Sequence, residues 1–100
     1  MIVCITASGN SPDAEVDPRF GRCNYFAFYD TDTKELKFEE NQWKEAMGGA
    51  GIQAAQFVVQ KGAKKLITGK VGPNAERVLR EAGVEIVFAS GKVKDVVKNL

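Results

Sequence analysis

Apolar residues in this chain first form strand-like runs and then helix-like repeats. Residues 1–7 are almost continuously apolar and β-branched, which is typical of a strand buried on both faces of a sheet. Residues 25–29 are aromatic and apolar, and residues 35–40 alternate between apolar and polar side chains as half-exposed strands do. The polar residues 30–34 predict a turn, so the second and third strands are predicted to form a hairpin.

The later part of the chain alternates between helical and strand patterns. Apolar spacing predicts helices over residues 52–61 and 74–82, and each is followed by a glycine that suits a helix C-terminus. Strands are predicted over residues 65–68 and 84–88, where short apolar runs stand between turn-forming residues. A final amphipathic helix is predicted to turn four apolar residues inward: Val93, Val96, Val97 and Leu100.

The resulting element order, β-β-β-α-β-α-β-α, predicts an α/β fold. Helices that alternate with strands imply parallel pairing through right-handed crossovers, whereas the hairpin supplies antiparallel pairing. We therefore predict a three-layer sandwich with a mixed five-stranded sheet. At 100 residues, the chain is predicted to form a single domain over residues 1–100.

Composition narrows the functional classes. The 14 Lys and Arg residues nearly balance the 13 Asp and Glu residues, and a net charge of +1 argues against a dedicated nucleic-acid-binding protein. No apolar run approaches a membrane span of about 20 residues, so no membrane partner is expected. The N-terminus lacks the basic start of a signal peptide, and we expect a cytoplasmic protein with reduced thiols.

The chain contains no histidine. The commonest general base and metal ligand is therefore absent, and neither a Ser-His-Asp nor a Cys-His arrangement can form within one chain. Of the two cysteines, Cys4 lies within the first strand pattern and is predicted to be a small buried apolar residue.

The segment Asp17–Cys23 carries the most suggestive side chains. It reads Asp-Pro-Arg-Phe-Gly-Arg-Cys and lies between two predicted strands. Because positive charge lowers the pKa of a thiol, Arg19 and Arg22 are predicted to favour a thiolate at Cys23, which would be a metal ligand or a nucleophile. The alternative is a structural role for Cys23. On a helical turn the two arginines would share a face and grip an anion. Alternatively, they form salt bridges with nearby carboxylates: Asp13, Glu15 or Asp17.

Two further loops are predicted to converge on this segment. In open α/β sheets, ligands bind outside the carboxyl ends of the parallel strands. Glycines at 48, 49 and 51 precede a predicted helix, where free backbone N–H groups favour an anion; a plain flexible loop is the alternative. The turn formed by residues 69–74 offers Lys70 and Asn74 for the same purpose, or serves only as a turn.

Four motifs, taken in order along the chain, resemble the dinitrogenase iron-molybdenum cofactor biosynthesis family. They are Ile-Thr-Ala-Ser at 5–8, Val-Asp-Pro-Arg-Phe-Gly-Arg-Cys at 16–23, Gly-Gly-Ala-Gly-Ile-Gln-Ala-Ala at 48–55 and Thr-Gly-Lys-Val-Gly-Pro-Asn-Ala at 68–75. The family includes small stand-alone proteins and domains of nitrogenase accessory proteins that carry iron–sulfur or iron-molybdenum cofactor precursors. The resemblance implies a ribonuclease H-like α/β sandwich.

The resemblance also implies a function and a site. It implies a non-enzymatic carrier of an iron–sulfur or iron-molybdenum-type cluster, bound transiently and exchanged with cluster donor or acceptor proteins. We expect a monomer or weak homodimer. In members linked to cofactor binding, the position before Phe-Gly is often histidine, but here it is Arg19, so imidazole ligation is excluded. The predicted cofactor-binding residues, with Cys23 as the metal ligand, are Arg19, Arg22, Cys23, Gly48, Gly49, Gly51 and Asn74.

Two other functions are weighed against the carrier. One is a regulatory module that binds a small organic anion in the same glycine-lined site without metal. The other is a nuclease of ribonuclease H type, which would need clustered carboxylates on its central strands to hold metal ions. Residues 1–7 contain no acidic residue, which argues against the nuclease.

Overall fold

The apolar runs of the sequence form the strands of one sheet. The computed structural model describes all residues from Met1 to Leu100. Its strands are β1 (Ile2–Ala7), β2 (Tyr25–Asp30), β3 (Leu36–Glu40), β4 (Ala63–Thr68) and β5 (Glu85–Phe88). They lie in the order β3-β2-β1-β4-β5, so the aromatic and β-branched runs occupy the centre.

The sheet is mixed, as predicted. The β2–β3 hairpin is antiparallel, and β2 also pairs with β1 in antiparallel register. Strands β1, β4 and β5 are parallel to one another, because helices connect the later strands. The carboxyl ends of β1 and β4 therefore meet at the same edge of the sheet.

Three helices complete the fold: α1 (Ala50–Gln60), α2 (Pro73–Glu81) and α3 (Val93–Lys98). Helix α1 begins at Ala50 rather than at the predicted residue 52, so Gly51 lies in its first turn and not in the preceding loop. The residue before α1, Gly49, has a φ of 73°, a left-handed conformation that glycine adopts without strain. The first residue of α2, Pro73, stands where a missing N–H costs no helical hydrogen bond.

The helices cover both faces of the sheet and confirm the predicted three layers. On one face, α1 and α2 pack over a core that includes Cys4, Phe26 and Leu66. On the other face, Val93 of α3 packs with Val3 and Ile5. The prediction that Leu100 turns inward is wrong: α3 ends at Lys98, and Leu100 is 38% exposed.

None of the three helices has the length and apolar character needed to cross a membrane.

Candidate functional site

Two buried threonines at the carboxyl ends of β1 and β4 hold the segment that follows β1. The Thr6 hydroxyl donates to the carbonyl oxygen of Asp17 over 2.6 Å and lies 2.7 Å from the Thr68 hydroxyl. The segment also packs tightly on the end of β4, because a Cβ atom on Gly69 would stand 2.5 Å from the Cα of Pro18. The residues from Asp17 onward are therefore fixed across the ends of two parallel strands.

The Asp17 carboxylate orients Arg19. Asp17 is 2% exposed, and its carboxylate accepts a hydrogen bond from the Arg19 backbone N–H over 3.0 Å. This hydrogen bond closes a tight local turn. The carboxylate also accepts the Arg19 side chain, with Nε at 3.2 Å and Nη2 at 3.2 Å. These contacts raise the pKa of Arg19. Of the salt bridges considered from the sequence for the two arginines, the structure contains the one between Arg19 and Asp17.

The Arg22 side chain binds backbone carbonyls instead of a carboxylate. Its Nη1 donates to the carbonyl oxygen of Lys44 over 2.9 Å and to that of Ala46 over 2.7 Å. Arg22 therefore anchors the segment that leads from β3 into the glycine loop. Arg19 and Arg22 lie on a turn rather than on a helix, since the Arg22 N–H donates to the carbonyl oxygen of Arg19 over 3.1 Å, and within the protein their guanidinium groups have different partners.

Cys23 does not have the environment expected from its neighbours in sequence. It is fully buried, and its sulfur lies 3.7 Å from Nδ2 of Asn41. Burial, followed by the negative charge of Asp17, raises the pKa of Cys23 to about 12. The prediction of a lowered thiol pKa is therefore wrong, because Arg19 and Arg22 are engaged elsewhere and the apolar core disfavours the thiolate. Burial also raises the pKa of Cys4, which is buried as predicted.

The three predicted loops meet in one cleft of about 390 Å³. The cleft is lined by Phe20, Gly21, Arg22, Gly49, Ala50, Gly51, Ile52, Gly72, Pro73, Asn74 and Ala75. The predicted convergence is confirmed for Arg22, Gly49, Gly51 and Asn74. Three other predicted site residues do not line it: Arg19, Cys23 and Gly48.

Both α1 and α2 begin at this cleft. Their N-cap residues, Gly49 and Gly72, provide no side-chain hydrogen bond to the first turn of either helix. Five backbone N–H groups in these first turns have no acceptor within the chain: those of Ala50, Gly51, Ile52, Asn74 and Ala75. Free N–H groups and the positive ends of two helix dipoles make the cleft favourable for an anion.

The residues at the cleft do not form a set of metal ligands. The chain contains no group of three or more His, Cys, Asp or Glu side chains that could hold a metal ion. The donors that the cleft offers are backbone N–H groups, the amide of Asn74 and the guanidinium of Arg22. This arrangement can bind a preformed anion through hydrogen bonds and charge, whereas it does not supply ligands to a bare metal ion.

Sequence reasoning missed Asn41, which shapes the loop beneath the cleft. Its buried Nδ2 donates to the carbonyl oxygens of Gly21 and Cys23, both over 2.9 Å, and its Oδ1 accepts the N–H of Trp43. The only signal in the sequence was a polar residue at the end of a strand, which is common. Trp43 itself lies at the edge of the core, where its ring is 5.3 Å from that of Phe57.

Comparisons with known proteins match the whole chain. The model of the family described as "Dinitrogenase iron-molybdenum cofactor" matches residues 1–100. The apo form of the orange protein from Desulfovibrio gigas is 36% identical, with a TM-score of 0.91 over 98% of this chain and 84% of that chain. A NifB-like protein from Thermotoga, assigned to the DUF35 family and solved by NMR, is 35% identical, with a TM-score of 0.83 over 97% of this chain and 84% of that chain.

A curated relative also matches. It is an uncharacterised protein of Methanocaldococcus jannaschii, 28% identical over 78 residues. The match covers 75% of this chain and 66% of that relative.

Proposed function

This chain belongs to the dinitrogenase iron-molybdenum cofactor family, and on that premise we propose that it binds and carries an anionic iron–sulfur or iron-molybdenum-type cofactor precursor in the glycine-lined cleft. The cargo is a preassembled cluster that the protein holds and passes on. The solved orange protein, similar over almost the whole chain, is described as an apo form.

The observation that carries the proposal is the meeting of two uncapped helix N-termini in one cleft. The inorganic sulfur atoms of such clusters accept hydrogen bonds, and the five free N–H groups of the cleft are donors without acceptors. Arg22 adds a positive charge at the same cleft, and charge-assisted hydrogen bonds are about twice as strong as neutral ones. A cluster with net negative charge fits this donor set.

The mode of binding that we propose uses no direct protein ligand. Both thiols are buried and have raised pKa values, so neither is a ready thiolate ligand. A cluster held by hydrogen bonds from Arg22, Asn74 and the helix N-termini can leave without breaking a metal–protein bond. That property suits a carrier, whereas a resident cofactor is commonly ligated.

Anaerobic reconstitution with iron and sulfide tests this proposal. We expect the wild-type protein to retain iron and to show a cluster absorption band after desalting. Arg22→Gln should retain markedly less iron, whereas Arg77→Gln, which changes an exposed arginine outside the cleft, should behave as wild type. Negligible iron on the wild-type protein, both after reconstitution and after anaerobic purification, would refute the cluster carrier.

The second candidate is a regulatory module that binds a small organic anion without metal in the same cleft. It is favoured by the lack of any group of three metal-ligating side chains. A shift of the melting temperature separates the two candidates. An anion at ~100 times its Kd should stabilise the fold by ~2.7 kcal/mol. Stabilisation by organic anions that is unaffected by chelators and iron would favour this module.

We propose that the protein is not an enzyme, lies in the cytoplasm, and exchanges cargo with donor or acceptor proteins as a monomer or weak homodimer. We also propose the ribonuclease H-like classification that the resemblance implies. A nuclease activity is not proposed, because β1, at the centre of the sheet, carries no carboxylate.

A further inference from the structure

A second, smaller pocket lies beside the glycine-lined cleft. Its volume is about 300 Å³, and none of its lining residues is hydrophobic. The lining consists of Arg19, Arg22, Asn24, Lys44 and Glu45. Arg22 also lines the cleft, whereas Arg19, Asn24 and Lys44 do not. We propose that this polar pocket is a distinct binding site for a small oxyanion of the phosphate class.

Both arginine side chains in the polar pocket are held in place by hydrogen bonds within the protein, and Lys44 lies near a third polar group. Asp17 orients Arg19 through two side-chain hydrogen bonds. Two backbone carbonyls fix Arg22, and Nζ of Lys44 lies 3.5 Å from Oδ1 of Asn24. Cations positioned in advance lose less side-chain entropy when an anion binds than free surface cations do.

The same side chains keep unused donors. A guanidinium group has five N–H bonds, and the contacts of Arg22 all involve Nη1, which leaves Nε and Nη2 without an acceptor. The contacts of Arg19 involve Nε and Nη2 and leave Nη1 free. Neither Arg22 nor Lys44 forms an ion pair with a carboxylate. The pocket therefore offers free donors from three cations.

The spread of these donors favours a tetrahedral ligand. They come from two different parts of the chain, the segment after β1 and the segment after β3, so the donors are spread over two segments of the pocket wall. A phosphate group presents acceptor oxygens in several directions, whereas a carboxylate presents two oxygens in one plane. The lack of apolar lining argues against a ligand with a hydrophobic body.

The polar pocket does not depend on the cargo proposed for the cleft. The two sites share Arg22, however, so an oxyanion in the pocket would offset part of the positive charge that the cleft offers. Anions in the two sites should therefore weaken each other's binding, and this effect is reciprocal.

A titration with inorganic phosphate, followed by ¹⁵N–¹H NMR at constant ionic strength, tests the assignment. We expect saturable shifts at the amides of Asn24 and residues 44–46. Lys44→Gln should weaken the apparent affinity at least fivefold. Lys64→Gln, an exposed lysine elsewhere, and Asn74→Ala, which alters only the cleft, should both leave the affinity unchanged.

Three results would overturn the assignment. The first is a response that rises without saturation or is equal in Lys44→Gln. The second is a set of shifts centred on residues 49–52 and 74–75, because phosphate would then occupy the cleft. The third is an equal response to acetate at the same ionic strength, because the pocket would then show no preference for a tetrahedral oxyanion. None of these results bears on whether the cleft retains iron, so the two proposals fail separately.

Discussion

The backbones of Gly21 and Gly51 are in direct contact. A Cβ atom on Gly21 would stand 2.9 Å from the Cα of Gly51, closer than side chains tolerate. Gly51 in turn faces Ala75, whose Cβ would lie 3.4 Å from a Cβ on Gly51. This stack of small residues brings the loop after β1 against the first turns of α1 and α2. The cleft exists because no side chain fills that contact.

The first prediction concerns Gly21. Gly21→Ala adds a methyl group against backbone and places a side chain at a φ of 92°. The matched control is Gly62→Ala, with a similar φ of 82° and open space around the new methyl group. We expect Gly62→Ala to cost ~1 kcal/mol from backbone strain, and Gly21→Ala to cost ~1–3 kcal/mol more from overpacking. Urea unfolding measures both, and equal costs would contradict the contact.

The second prediction concerns alkaline stability. The folded chain favours the neutral Cys23 thiol, with its pKa raised to about 12. Its contribution is complete below pH ~8.5, where the unfolded thiol is also protonated, and is lost as pH rises toward the folded pKa. In that window the free energy of unfolding should fall by ~1.4 kcal/mol per pH unit because of this thiol.

The control for that prediction is Cys23→Ala, measured by urea unfolding under reducing conditions. Cys4 also has a raised pKa, so the variant should keep part of the alkaline slope and lose the part due to Cys23. Native Cys23 should likewise resist iodoacetamide at neutral pH until the protein unfolds. Identical slopes in the two proteins, or rapid native alkylation of Cys23, would show that the thiol is not buried and neutral.

The third prediction concerns the Asp17 carboxylate. Asp17→Asn replaces one acceptor oxygen with an amide group that would face the donors of Arg19. We expect the free energy of unfolding to fall by ~1–3 kcal/mol, as for other buried charged acceptors that lose partners. Asp32→Asn, whose side chain is 84% exposed, should have a much smaller effect. A comparable loss in both variants would argue against a special role for Asp17.

The fourth prediction concerns the anchor formed by Arg22. Arg22→Gln removes the hydrogen bonds to the carbonyl oxygens of Lys44 and Ala46. The Ala46 amide, which donates to the carbonyl oxygen of Trp43, should then exchange its hydrogen about tenfold faster. Native-state hydrogen exchange followed by NMR measures this rate. Arg77→Gln is the matched control. An unchanged exchange rate at the Ala46 amide in Arg22→Gln would show that the Arg22 hydrogen bonds do not hold this segment in solution.

The sheet was predictable because its signals are periodic and local. The runs that became β1 and β2 are distinguished by β-branched and aromatic residues, and the glycines after α1 and α2 mark where those helices end. The convergence of Gly49, Gly51 and Asn74 followed from topology, since parallel strands bring their carboxyl ends together.

The side-chain environment of the site, unlike the strands of the sheet, was not predictable from local sequence patterns. Adjacency in sequence suggested that Arg22 would lower the pKa of Cys23, but the turn at residues 20–22 leaves the Arg22 side chain exposed while Cys23 enters the core. Arg22 is held by carbonyls from Lys44 and Ala46, contacts that only the fold creates. The contact of Gly21 with Gly51, in the first turn of α1, likewise joins segments that are distant in sequence and is not encoded in a local pattern.

The hydrogen bond between Thr6 and Thr68 joins residues that are 62 positions apart. Such a distant pair forms only after the intervening chain has folded back, and loop-closure entropy makes this a late step. Thr68 is synthesised well after Thr6. A nascent chain that ends before β4 therefore lacks the Thr68 hydroxyl, the second one beside the Asp17 carbonyl oxygen. We therefore expect the cleft to form only when β4 has docked beside β1, so local unfolding of β4 should abolish it together with the start of α2 that lines it.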